Sequence, residues 1–141
     1  MNGNESVGIV LVSHSLKLAD GTADVIRNLA GYVEIATAGG VHTMGATPGD
    51  VLNALEGMRS SNVLVFTDIG SSTIATLAAL DVAPDELTGR VRVVNAPFVE
   101  GALLAGVSAM DNGTVAECLE AAESGLDLAR RKVPTIASSE V

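Results

Sequence analysis

The chain has no Trp, one Tyr and only two Phe among its 141 residues. With 48 % apolar residues, a core must be filled by Val, Leu, Ile and Ala. A single cysteine, Cys118, excludes a disulfide framework and a cysteine metal cluster. Basic residues are scarce: 8 Lys and Arg stand against 17 Asp and Glu, a net charge of -9. Without clustered Lys and Arg to neutralise phosphates, no nucleic-acid partner is expected. The one basic run, Arg130-Arg131-Lys132, follows a helical pattern and reads as a solvated helix end favoured by the dipole. No apolar run is long enough for a membrane helix, so no membrane partner is expected. The stretch Met1-Asn2-Gly3-Asn4-Glu5 lacks the charged and apolar regions of a secretory signal, and cytoplasmic localisation is the expectation. The chain also lacks GxGxxG, a P-loop lysine motif and a GxSxG elbow, which argues against a nucleotide site of its own and against a serine hydrolase.

What is present is a strong alternation of apolar runs and helical patterns. Val7-Gly8-Ile9-Val10-Leu11-Val12 is β-branched and apolar on both faces, as a buried parallel strand is. It ends in Ser13-His14-Ser15, and a helix follows at once over Leu16 to Ala30, stopped by Gly31. A second strand is expected at Tyr32 to Ala36, with a glycine-bearing loop over Thr37 to Ala46. Thr47 reads as an N-cap, with Pro48 and Asp50 in the first turn of a helix to Arg59. The third strand, Asn62 to Thr67, ends at Asp68, and Ile69-Gly70-Ser71-Ser72 opens an almost uncharged helix through Leu80. A fourth strand at Arg90 to Val94 precedes an Ala-rich helix over Val99 to Ala109. Thr114 to Glu117 has capping-box spacing and opens a last helix that should bury Val115, Leu119, Ala122 and Leu126.

This order predicts an α/β fold: a doubly wound, mostly parallel sheet of four to five strands with helices on both faces. Residues 1–133 should form one domain and residues 134–141 a flexible tail. In such folds chemistry gathers at the carboxyl ends of the strands. His14 and Asp68 both fall there. A carboxylate beside an imidazole fixes its tautomer and leaves the other nitrogen free as a nucleophile. Ser15, Thr47, Gly70, Ser71 and Ser72 stand at helix starts, where free backbone N–H groups bind anions, although for any one of the hydroxyl residues capping is the favoured reading. Together they suit an anion carried on His14. His42, the only other histidine, reads as a solvated or site-rim residue, so no metal site is expected.

Three motifs in order resemble a known family. Val12-Ser13-His14-Ser15, Phe66-Thr67-Asp68-Ile69-Gly70-Ser71 and Ala96-Pro97-Phe98-Val99-Glu100-Gly101 are similar to the phosphotransfer subunit of the phosphotransferase-system-dependent dihydroxyacetone kinase, which contains a domain of the mannose-type enzyme IIA fold. The resemblance runs from about Val7 to Glu123. It implies that His14 accepts a phosphoryl group from the histidine-containing phosphocarrier protein. His14 then passes it to ADP held on the kinase's nucleotide-binding subunit, so the chain needs no cofactor beyond the covalent phosphohistidine. It also implies a homodimer and gives Asp68 the task of orienting His14. One departure is the loop, where Gly45-Ala46-Thr47 replaces the family's Gly-Thr pair. Two other readings are a tetrapyrrole metal chelatase, which expects a histidine after the fourth strand where Asn95-Ala96-Pro97 stands, and an inactive regulatory or scaffold relative.

Overall fold

The computed structural model describes residues 6–133. Four strands, β1 (Val7–Ser13), β2 (Ile35–Gly39), β3 (Asn62–Thr67) and β4 (Val91–Val93), form one sheet in the order β2-β1-β3-β4. Every pairing is parallel. Six helices accompany them among the described residues: α1 (Leu16–Leu29), α2 (Pro48–Glu56), α3 (Gly70–Val82), α4 (Asp85–Thr88), α5 (Phe98–Met110) and α6 (Val115–Arg130).

The alternation of side chains along the strands divides the core in two. Ile9 and Leu11 of β1, with Leu64 and Phe66 of β3, face Ala19, Ala23 and Ile26 of α1, Phe98, Ala102 and Ala105 of α5, and Cys118 and Ala122 of α6. Val10 and Val12 of β1, with Val63 and Val65 of β3, face Val51 and Leu55 of α2, Ala75 and Ala79 of α3, and Leu87 of α4. The sheet is therefore covered on both sides, which is why its central strands read as unbroken apolar runs. Both phenylalanines lie in the first layer, and alanines line the helices that press on it. The doubly wound α/β reading holds.

Several boundaries differ from the sequence reading. β2 begins at Ile35 and ends at Gly39, three residues beyond the expected strand. Tyr32, expected within it, is 96 % exposed in the turn after α1. Its pairing with β1 carries Gly39 opposite Ser13, so a glycine that resembles loop closes the strand. α6 buries Cys118, Ala122 and Gly125, while Leu126 is 47 % exposed. The helix turns its small residues to α5, where Gly125 meets Gly101, so the bulkier leucine is displaced outward. Leu52 is half-buried and Leu29 exposed at the rims of their helices. The expected tail, 134–141, lies outside the described residues.

At the amino end of the sheet, Glu34 and Arg90 hold the chain between α2 and β3 from two sides. Glu34 accepts from the Arg59 N–H at 2.8 Å, the Ser60 N–H at 2.8 Å and the Ser60 hydroxyl at 2.6 Å. Arg90 donates to the carbonyls of Ser60 at 2.8 Å and Met58 at 3.1 Å. Burial pushes the Glu34 carboxyl up, but the Ser60 hydroxyl, the two amides and the Arg59 charge outweigh it and hold the group below its ordinary value.

Candidate functional site

The strand order places β1 between β2 and β3, so the chain reverses its direction of growth across β1. The crevice at the carboxyl ends of β1 and β3 is such a reversal point, where ligands of open α/β sheets bind. Val12 pairs with Thr67, so Asp68 leaves the sheet beside Ser13, with His14 the next residue along.

Asp68 meets the backbone of His14, not its ring. The His14 N–H donates to Asp68 Oδ2 at 3.0 Å and Oδ1 at 3.2 Å. The Ser72 hydroxyl donates to Oδ1 at 2.6 Å, the Ile69 N–H to Oδ1 at 2.7 Å, and the Ser13 hydroxyl to Oδ2 at 2.7 Å. Burial alone would raise the carboxyl pKa; the Ser72 and Ser13 hydroxyls and the His14 and Ile69 amides hold it below the ordinary carboxylate value. A carboxylate with this donor set ties β1, β3 and the start of α3 together while ionised.

The other side of His14 is held by the β2–α2 loop. The His14 carbonyl accepts from the Gly45 N–H at 2.7 Å, and the Leu16 N–H donates to the Gly40 carbonyl at 2.9 Å. Gly45 has φ +105°, a conformation that glycine alone adopts readily. A β-carbon on Gly40 would run into the main chain of Thr43, Gly45 and His14. Both backbone polar groups of His14 are thus fixed, the N–H by Asp68 at the end of β3 and the carbonyl by Gly45 in the β2–α2 loop. The half-buried imidazole faces Ser71, whose hydroxyl lies 3.4 Å from Nδ1.

The expected anion-binding residues separate into two groups. Ser15 precedes α1 without a side-chain cap bond, and its N–H donates to Ser13 Oγ at 3.0 Å. Ser72 is buried and its hydroxyl is committed to Asp68. Thr47 forms a capping box with Asp50: its hydroxyl accepts from the Asp50 N–H at 3.1 Å, and its N–H donates to Asp50 Oδ2 at 3.1 Å. Gly70 and Ser71 are exposed in the first turn of α3, which has no side-chain cap. Amides of a first helical turn have no partner within the helix, which leaves these two as candidates for binding an anion.

His42 is exposed and lines a cavity of 340 Å³ with Gly39, Gly40, Gly45, Thr47 and Asp50. A second cavity, of 370 Å³, lies between the ends of β3 and β4 and is bounded by Thr67, Asp68, Ile69, Thr73 and Asn95. Among the described residues, no three His, Cys, Asp or Glu side chains come together as a metal site requires. None of their helices is long and apolar enough to cross a membrane. Sequence reasoning passed over Ser13, whose hydroxyl joins the Asp68 carboxylate to the Ser15 amide. The strand register carries the signal for it, since Ser13 follows Val12 as Asp68 follows its partner Thr67.

Residues 8–122 match the EIIA-man family model, described as the phosphotransferase-system fructose IIA component. The chain belongs to the EIIA-man family. Its relatives include the phosphotransferase subunit DhaM of the PTS-dependent dihydroxyacetone kinase of Lactococcus lactis, 34 % identical over 70 % of this chain and 78 % of that protein. A second is the phosphoryl donor subunit DhaM of the PEP-dependent dihydroxyacetone kinase 2 of Listeria innocua, 32 % identical over 75 % of this chain and 88 % of the relative. The Escherichia coli DhaM is 31 % identical over 90 % of this chain, and the chain spans 28 % of that longer protein. The resemblance drawn from the three motifs therefore stands: this EIIA-man chain is of the DhaM type. Among solved structures, the protein of unknown function EF1359 is 27 % identical, with a TM-score of 0.77 over 84 % of this chain and 94 % of that one. The phosphotransferase component EIIA of Streptococcus agalactiae shares the fold, with a TM-score of 0.65 at 18 % identity over 94 % of this chain and 98 % of its own.

Proposed function

We propose that this EIIA-man chain is a phosphohistidine carrier. It takes a phosphoryl group from the histidine-containing phosphocarrier protein and gives it to ADP on the nucleotide-binding subunit of a dihydroxyacetone kinase. The observation that carries this reading is His14 itself: its backbone is bonded on both sides while its ring stands beside Ser71 at the strand-end crevice.

Imidazole is neutral and nucleophilic near neutral pH, and a phosphoryl group on its nitrogen remains a good donor because the ring leaves readily. With Nδ1 turned towards Ser71, its proton can rest on the Ser71 hydroxyl, and Nε2 is the nitrogen left to attack. The Nε2 lone pair forms a bond to phosphorus as the P–N bond of the donor phosphohistidine breaks. The electron pair of that bond stays on the donor imidazole, which takes up a proton. In the second step a β-phosphate oxygen of ADP attacks phosphorus, the P–Nε2 bond breaks, and its pair returns to the His14 imidazole. Donors fixed in advance where negative charge develops lower such barriers without reorganising. The Gly70 and Ser71 amides are the candidates here, with the Ser71 hydroxyl turning the ring; Ser72 and Thr47 act by holding their helix starts, and Ser15 through its N–H on Ser13. Asp68 orients His14 through its backbone.

The carrier is a cytoplasmic homodimer in this reading. α3 exposes Ile74 (70 %) and Leu77 (52 %) on one stripe, and a second copy is the partner proposed for it. α5 offers no such stripe: it is packed between α1 and α6 and has its small residues buried there. The test is reconstitution: the purified phosphocarrier enzymes, this chain and the ADP-loaded nucleotide-binding subunit. ATP formation that depends on this chain supports the proposal. Phosphorylated chain that never discharges to ADP would remove the kinase from it.

A further inference from the structure

We propose that Ser13 is a positioning residue for transfer through His14, acting by way of Asp68. This rests on the carrier reading above and adds a residue to it. Ser13 is fully buried at the last position of β1. Its hydroxyl has one proton, and an ionised carboxylate can only accept, so that proton points at Asp68 Oδ2, 2.7 Å away. The direction of the hydroxyl is thereby fixed, and its lone pair receives the Ser15 N–H at 3.0 Å. The two amides that flank the reactive side chain are then anchored to one carboxylate. The His14 N–H meets Asp68 directly at 3.0 Å, and the Ser15 N–H meets it through Ser13. With the His14 carbonyl held by Gly45 at 2.7 Å, both main-chain groups of His14 and the Ser15 N–H are bonded. Removal of the Ser13 hydroxyl leaves the Ser15 N–H without its acceptor and Asp68 without one of its donors. The turn then relaxes, and the imbalance reaches the reacting nitrogen as a displacement.

The experiment compares Ser13→Ala, Ser13→Thr, Asp68→Ala and the Ser13→Ala/Asp68→Ala double variant in the full chain. The readouts are single-turnover transfer from the phosphorylated histidine-containing phosphocarrier protein and amide hydrogen exchange of Ser15. Misplacement of a reacting group costs on the order of 10- to 100-fold in rate, so Ser13→Ala is expected to lose about that much at saturating donor. The donor concentration for half-maximal rate should stay within about twofold, because no donor contact is removed. Ser13→Thr, which keeps the hydroxyl, should recover most of the rate. In the Asp68→Ala background the same change should cost little more, since residues acting through one another are not additive. The Ser15 amide should exchange slowly in the wild type and faster in Ser13→Ala. A Ser13→Ala rate equal to wild type overturns the proposal. So does a loss that persists in full without Asp68. If Ser13→Ala does not fold, the wild-type exchange decides: a Ser15 amide that exchanges like an exposed one contradicts the arrangement. A wild type that takes no phosphate overturns the carrier reading itself, and slow Ser15 exchange alongside it separates that failure from an error in the Ser13 geometry.

Discussion

Asp68 holds His14 by its backbone N–H at 3.0 Å, while the imidazole faces the Ser71 hydroxyl. The carboxylate therefore acts on where the histidine sits, and the serine on how its ring is turned. Replacement of Asp68 by Asn keeps an acceptor but removes the charge and cannot receive all four donor groups. We expect a transfer rate lower by roughly 10- to 100-fold, with circular dichroism unchanged. Single-turnover kinetics check this, and an undiminished rate would take Asp68 out of the site.

With His14 as the proposed carrier, its ring orientation predicts which nitrogen takes the phosphoryl group: with Nδ1 beside Ser71, phosphate is expected on Nε2. Nitrogen and phosphorus NMR of the phosphorylated chain distinguish the two isomers. The Nδ1 isomer would mean that the ring turns over before it reacts.

Glu34 makes stability depend on pH. Its folded-state pKa lies below the ordinary 4.5, so the unfolded chain binds the proton more readily. Its contribution is complete above that ordinary value and is lost as the pH falls through the folded value. Glu34→Gln weakens bonds to three donor groups and should cost roughly 1–3 kcal/mol at pH 7. The gap between variant and wild type should close at pH values below the folded pKa. Urea unfolding at pH 7 and in that acid range measures both, and a gap independent of pH would show that charge is not what matters there.

The exposed stripe of α3 predicts self-association. Sedimentation should show a dimer at micromolar concentration, and Ile74→Asp with Leu77→Asp should give a folded monomer. A wild-type monomer at that concentration would contradict the assignment of a second copy to this face.

Much of this was legible in the sequence because parallel strands buried on both faces leave long apolar runs, and β1 and β3 are such runs. The Thr47 N-cap and the Thr114 capping box were legible because their spacing is local. β2 was displaced because its last residue, Gly39, is a glycine whose reason is tertiary: a β-carbon there would strike the Leu16 backbone. His14 was legible as a polar residue at the end of an apolar strand. The grip of Asp68 on the backbone was not, since a carboxylate near a histidine suggests the ring in sequence and only the register shows the amide. Ser13 stayed hidden because a serine beside a histidine gives no sign of its burial. The almost uncharged helix through Leu80 was legible, but which of its residues stand uncovered, Ile74 and Leu77, was not, because such a helix looks alike from every side.

The central claim is that His14 carries the phosphoryl group. The direct measurement is mass spectrometry of the wild type and of His14→Ala after incubation with phosphoenolpyruvate and the purified phosphocarrier enzymes, under conditions that preserve acid-labile phosphate. The wild type should gain one phosphoryl group that acid removes, and the folded variant should gain none. A variant that still carried an acid-labile phosphate, for instance on His42, would contradict the account.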